Sequence, residues 1–257
     1  MAKIESKKPD TADGTSIEPT ARWIRVKFGG EIIADSKRAQ LLIQYPPTGL
    51  PTYYFPPDDV RVKIPNERTV DARGRGLWTM RAGEKVAENA AWSYDVPPPS
   101  HAALKGYISF LWGQMDAWYE EDEEVFVHAR DPHSRVDVMA SSRHVRVALR
   151  GTTLAETTRP FLLFETGLPT RYYVMPDAVN FAVLEPSHLK TRCPYKGVAS
   201  YWSARVGGEI AKNIVWSYQD PIAECPKIRG LLAFFNERAD IYVDGELQDR
   251  PQTEWSQ

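Results

Sequence analysis

Cysteine is nearly absent: the 257-residue chain has two, Cys193 and Cys225, and no C-x-x-C pair. A disulfide-stapled scaffold and a four-thiolate zinc site within one chain are therefore excluded. A charge excess of one sign is also missing. Lys and Arg number 32 against 34 Asp and Glu, a formal net charge of −2. No basic stripe supplies the counterion release that drives nucleic-acid binding. No apolar run approaches the length of a membrane span. The opening "MAKIESKKPDTADGTSIEPT" lacks the apolar core of a secretion signal, and its acids Glu5, Asp10, Asp13 and Glu18 argue against a transit peptide. The sequence thus predicts a cytoplasmic protein whose partner is neither nucleic acid nor membrane. The patterns G-x-x-x-x-G-K-[ST], strand-borne G-x-G-x-x-G, H-E-x-x-H and G-x-S-x-G are absent too. Their absence removes the common phosphate-cradling, metalloprotease and serine-hydrolase sites.

Aromatic residues are plentiful, with eight Trp and twelve Tyr, enough for heavy core packing or for a ligand cage. The chain also repeats itself. "RWIRVKFGGEIIADSKRAQLLI" (22–43) matches "RHVRVALRGTTLAETTRPFLLF" (143–164), "GLPTYY" (49–54) matches "GLPTRYY" (167–173), and "NAAWSY" (89–94) matches "NIVWSY" (213–218). Ile24, Val26 and Phe28 alternate with Arg25 and Lys27, the period of a half-buried strand. Gly29-Gly30, Gly207-Gly208 and Asp244-Gly245 suit hairpin turns. Leu104, Tyr107, Ile108 and Leu111, and in the second copy Ile228, Leu231, Leu232 and Phe235, fall at i, i+3, i+4, i+7 and predict one short helix per copy. The fold class is mainly β: two tandem repeats of antiparallel strands, each with one short helix. The first repeat is placed at 21–125 and the second at 142–247. Residues 1–20 and 248–257 are tails, and 126–141 is a linker.

The five consecutive acids at 120–124 predict a hydrated, self-repelling, extended stretch at the joint. His128, Asp131 and His133 sit close together there, beside a proline and away from a rigid element, so no metal site is assigned. No cofactor is called for.

"TRCPYKGVASYWSARVGG" (191–208), "LAETTRPFLLFETGLPTRYY", "LEPS", "NIVWSY" and "VDGE" together closely resemble the family described as domain of unknown function 427, which also carries a nucleotidyltransferase-like label. The resemblance covers 21–125 and 142–250. It implies a β-tent fold of small, folded-over antiparallel sheets, which in related families often carries zinc or a small ligand. The paired C-x-x-C knuckles that hold that zinc are missing here, so zinc is not inherited. Where the second copy has "TRCPYKG", the first is matched with "VDARGRG" (70–76), without Cys, Pro, Tyr or Lys, and its site is read as degenerate.

The second copy therefore carries the candidate site. Pro194 fixes its own φ and extends Cys193, while Gly197 permits a tight turn. On this reading Tyr195 and Lys196 project at a pocket rim and Cys193 packs beneath. Tyr172, Tyr173, Trp202 and Trp216 form aromatic walls, and Lys196 with Arg159 orients an anionic or polar ligand. Arg159 and Arg38 match between copies, as do Glu156 and Asp35, which also fits a structural Arg–carboxylate pair. The function expected is small-molecule binding. The alternatives are an enzyme using Cys193 or Lys196 on a small carbonyl, acyl or nucleotide-like substrate, with His188 as the nearest base, and a scaffold whose strand edges bind a protein.

Overall fold

Alternating apolar and polar residues become strands throughout. The computed structural model describes residues 14–46, 48–62 and 67–256, and the chain divides into two units between Asp131 and Pro132. In the second unit one antiparallel sheet runs, in spatial order, through Val136–Ala140, Phe161–Glu165, Arg171–Val174, Leu232–Phe234, Glu209–Pro221, Gly197–Val206 and Leu184–Cys193. A four-stranded sheet holds Thr152–Thr157, Val145–Leu149, Asp240–Val243 and Glu246–Leu247. The first unit repeats this order. Its larger sheet is divided into Ser16–Pro19, Gln40–Ile43, Thr52–Tyr54 and Thr69–Val70, Arg75–Ala82, Lys85–Tyr94, Ile108–Phe110. The two pieces meet through the Phe55–Ile108 bridge. Mainly β, antiparallel and duplicated is the architecture.

Because side chains alternate across a strand, each larger sheet has two apolar faces. One packs with the four-stranded sheet around Val145, Val147, Val174, Val215, Leu232 and Ile241. The other gathers Leu163, Tyr173, Trp216, Tyr218, Cys225 and Ile228. The hairpin glycines behave as the sequence requires. Gly29 and Gly30 have φ of 60° and 84°, Gly207 and Gly208 of 62° and 81°, the pair of left-handed residues that a two-residue turn matched to strand twist needs.

Several expectations change. The apolar spacing at 104–111 and 228–235 is not helical. Pro99–Leu104 and Pro226–Ile228 are 3-10 turns that end before strands Ile108–Phe110 and Leu232–Phe234. Gly106 and Gly230, at φ of 77° and 68°, reverse the chain between them, which a continuous helix does not allow. The units also exceed their predicted limits. Ser16–Pro19 pairs with Gln40–Ile43, Val136–Ala140 pairs with Phe161–Glu165, and Thr253 bonds Glu237 at 2.7 Å. Residues 1–13 of the expected tail lie outside the described residues. The acidic stretch is not an extended loop but a hairpin, Ala117–Glu120 against Glu123–Val125. Glu120 is buried and accepts from Arg22 at 2.9 Å and from the Tyr53 hydroxyl at 2.8 Å.

His128 also lies inside the first unit rather than in a solvated joint. Burial holds its imidazole below the usual 6.5, against the opposing pull of the Ala129 carbonyl, Asp131 and Glu120. The unfolded chain therefore takes up this proton first, so stability present above the unfolded value is lost as pH falls through it. His128→Gln is expected to flatten the fall in thermal midpoint between about pH 7 and pH 5. An unchanged slope in scanning calorimetry would refute this role.

Candidate functional site

The turn at 193–197 is built by long-range backbone pairing. Cys193 lies opposite Gly197, and Gly197 lies opposite Pro221. The Lys196 amide donates to the Cys193 carbonyl at 3.4 Å, the Ile222 amide to the Lys196 carbonyl at 3.2 Å, and the Cys225 amide to the Ile222 carbonyl at 3.0 Å. Gly197 has φ of 104°, and a Cβ there would meet the Asp220 carbonyl oxygen at 3.3 Å. The positive φ favours glycine strongly, and the close Asp220 carbonyl adds to that preference.

This arrangement reverses the expected layout. Lys196 is the buried member, and Cys193 is only partly covered. The lysine turns inward because Glu165, at the end of Phe161–Glu165, receives it: Nζ and Oε2 form an ion pair with side chains 11% and 8% exposed. Burial opposes the charge on Lys196, but Glu165 outweighs it and holds the ammonium above its ordinary value. An ammonium has no lone pair, so Lys196 in this state donates hydrogen bonds rather than attacking carbonyls. Cys193 and Cys225 are electrostatic neighbours of the same ammonium. Burial pushes the Cys225 thiol up, despite Lys196. His188 is exposed beside the irregular Pro186–Lys190 stretch and makes no hydrogen bond to Cys193.

Around the ion pair stand tyrosines. Trp216 donates through Nε1 to the Tyr173 hydroxyl at 3.0 Å, the rings meeting edge to face at 6.2 Å and 88°. Tyr201 shares a 2.7 Å hydrogen bond with Thr191. Burial raises the phenols of Tyr173, Tyr201 and Tyr218, so all three stay protonated. Tyr218 is buried as a residue, while its hydroxyl, which makes no hydrogen bond among the described residues, is not itself a buried atom.

The predicted site residues divide. Lys196 and Tyr173 share Glu165, Cys193 and Cys225 as electrostatic neighbours, Trp216 is bonded to Tyr173, and Tyr195 is partly exposed on the turn. Trp202 is opposite Val215, and with Tyr172 it packs towards the four-stranded sheet, on the other face from Trp216. Arg159 lies apart, 3.6 Å from Asp177, with side chains 78% and 67% exposed. It is an Arg–carboxylate pair, as is Arg38 with Asp59 at 2.6 Å, although neither carboxylate is the matched Asp35 or Glu156.

Glu165, Tyr201, Tyr218 and Cys225 were not singled out from the sequence. For Glu165 the signal exists. The matched position in the first repeat is Gln44, as the register Leu41–Tyr53 and Leu162–Tyr172 fixes, so a charge appears in the second copy alone.

The first unit serves as an internal control. Gly76 faces Ser93 as Ser200 faces Ser217. Measured from that rung, nine residues (191–199) close the second hairpin against five (71–75) in the first. The matched residue of Tyr173 is Tyr54, whose hydroxyl takes the Trp92 Nε1 bond at 3.1 Å with the same edge-to-face ring contact, 6.2 Å and 87°. The aromatic pair is thus common to both units. The first unit is not without a cation either. Arg75 lies 5.2 Å from the Trp92 ring and is held by Asp71 at 2.7 Å. That pair is local and more exposed, at 23% and 20%.

Two copies of one mainly β domain, with a polar centre buried in the second, define the class of protein. The chain belongs to the family described as domain of unknown function 427 (DUF427), whose model matches twice, over residues 16–121 and 137–245. No curated protein matches it. No helix among the described residues is long and apolar enough to cross a membrane.

Proposed function

We propose that the second unit binds a small molecule through an oxyanion or carbonyl oxygen at Lys196. The observation that carries this is the spare hydrogen-bond donor capacity of a buried ammonium. An ammonium has three N–H donors, and Glu165 takes the one side-chain hydrogen bond that Lys196 makes among the described residues. The protonated Tyr218 hydroxyl adds a further unused donor, sharing Glu165 and Cys193 as electrostatic neighbours with Lys196. Donors without acceptors in an aromatic setting suit a ligand that supplies acceptors and an apolar body. Tyr195 and Cys193, both partly exposed, form the entrance in this reading.

The comparison with the first unit supports it. Burying an ion pair costs several kcal/mol of desolvation per ion before attraction offsets it. The first unit forms the same order of strands, divided into two pieces, and the same Tyr–Trp pair with a shorter hairpin and a shallower Arg75–Asp71 pair. The longer turn and the buried pair are therefore additions to what the two units share, and perturbed ionisable groups of this kind concentrate at functional sites.

A thermal-shift panel of acetate, benzoate, methyl phosphate and acetamide tests the proposal. At least one compound is expected to raise the midpoint of the second unit, since native-state binding at about 100 Kd adds about 2.7 kcal/mol. The same compound should leave a Lys196→Met/Glu165→Leu variant unmoved. Equal shifts in both proteins, or none in either, would reject an oxygen-binding site at Lys196.

A further inference from the structure

A second site of different chemistry emerges from another contrast between the units. In the second unit a shallow depression of about 360 Å³ is lined by His144, Glu156, Thr157, Thr158, Arg159, Asp177 and Ala178. It lies at the end of Thr152–Thr157 and the 3-10 turn Pro176–Ala178. Neither element contributes to the Lys196 centre.

The corresponding place in the first unit is spanned by ion pairs and hydrogen bonds. Asp35, matched to Glu156 by the register Arg25–Asp35 and Arg146–Glu156, holds two donors there. They are the Trp23 Nε1 at 2.6 Å and the Arg61 guanidinium at 2.5 Å. Asp59 likewise holds the Ser36 hydroxyl and Arg38, each at 2.6 Å.

In the second unit the cluster is thinner: Ala178 stands where the first unit has Asp59, in the matched turns Pro176–Ala178 and Pro57–Asp59. His144 replaces Trp23 and keeps its contact, Nε2 to Glu156 at 2.8 Å. The residue matched to Arg61 is Asn180, fixed by the bridges Ala34–Val60 and Ala155–Val179 and by the following amide bonds to Ile33 and Leu154. Asn180 points elsewhere: its side chain accepts from the Ala182 amide at 3.3 Å and donates to the Thr153 carbonyl at 3.5 Å. Glu156 is left with His144 alone, and Asp177 with Arg159 at 3.6 Å. Two carboxylates thus face one permanent cation across an open depression.

We propose that this depression binds a small guanidinium compound, its planar fork taking on Glu156 the place that Arg61 takes on Asp35. A guanidinium pairs with carboxylates through parallel N–H donors in a geometry that a point-charge ammonium does not reproduce. Asp177 receives the outer edge of the ligand, and the Thr157 and Thr158 side chains line the floor. With Glu156 half exposed, affinity falls in the millimolar range and weakens with salt. This inference does not depend on the Lys196 reading.

Two-dimensional amide NMR of the full chain at low salt, titrated with L-arginine, agmatine and L-citrulline, tests it. Arginine and agmatine should produce saturable shifts centred on His144, Glu156, Thr158 and Asp177, and neutral citrulline none. Glu156→Gln should weaken arginine by about tenfold or more, the scale of a lost charged hydrogen bond. Asn180→Arg, which rebuilds the arrangement of the first unit, should abolish the response by filling the site from within. The reciprocal Arg61→Asn should create a new arginine response around Trp23 and Asp35. Citrulline matching arginine, an Asn180→Arg titration identical to wild type, or no saturable shift with either guanidinium would overturn the proposal. Glu156→Gln is a surface change, so its titration decides the matter even if Asn180→Arg folds poorly.

Discussion

Lys196→Met is expected to destabilise the second unit by about 3–5 kcal/mol, because it strands the Glu165 carboxylate in an apolar setting. Glu165→Leu alone should cost a similar amount by stranding the ammonium. The double variant Lys196→Met/Glu165→Leu should recover most of the loss, since well-packed apolar replacements of buried pairs are often neutral or stabilising. Both side chains are almost fully covered, 11% and 8% exposed, so solvent screening does not blunt the effect. Urea unfolding of the four proteins measures the coupling directly. Singles within 1 kcal/mol or so of wild type would show that water reaches the pair freely.

The other large effect is expected at Arg171. Its guanidinium forms two 2.7 Å hydrogen bonds to Glu237, with side chains 7% and 0% exposed. It lies 5.5 Å from the Trp216 ring and 5.4 Å from Trp255. Arg171→Met is expected to lower the stability of the second unit by about 3–5 kcal/mol through the stranded Glu237, while the first unit keeps its own transition. Burial opposes the charge of Glu237, but Arg171 and Thr253 outweigh it and depress the carboxyl below its ordinary 4.5. The stability it contributes is present above that value and is lost as pH falls through the depressed one. Arg171→Met should therefore also be less acid-sensitive than wild type. Equal sensitivity, or a stability change below about 1 kcal/mol, would contradict the assignment of the pair as a buried anchor.

What the sequence made legible was local. Period-two alternation and glycine turns depend on neighbours within a few residues, the duplication shows by direct comparison of segments, and all survive in the structure as paired strands in both units. The helical spacing misled because three of its members, Leu104, Tyr107 and Leu111, do share one apolar cluster while Ile108 joins the other. A 3-10 turn, a left-handed glycine and a strand reproduce the spacing without the helix. The orientation of Lys196 was not legible either. Its partner Glu165 is 31 residues away, and local turn geometry gives no hint of which way a lysine will swing. Aromatic character and repetition assign Trp202 and Trp216 to one wall, but strand register sends them to opposite faces. The contrast between repeats is the signal that carries furthest. It marks Glu165 against Gln44, and Asn180 against Arg61, once register has aligned them.

On the proposed reading the Lys196–Glu165 pair is kept for a ligand and not for the fold. Calorimetric titration of wild type and the Lys196→Met/Glu165→Leu variant, with the strongest compound of the thermal-shift panel, tests it most directly. The expected result is a variant that unfolds at or near the wild-type midpoint and shows no heat of binding. A variant that stays folded and binds the compound as tightly as wild type would contradict it.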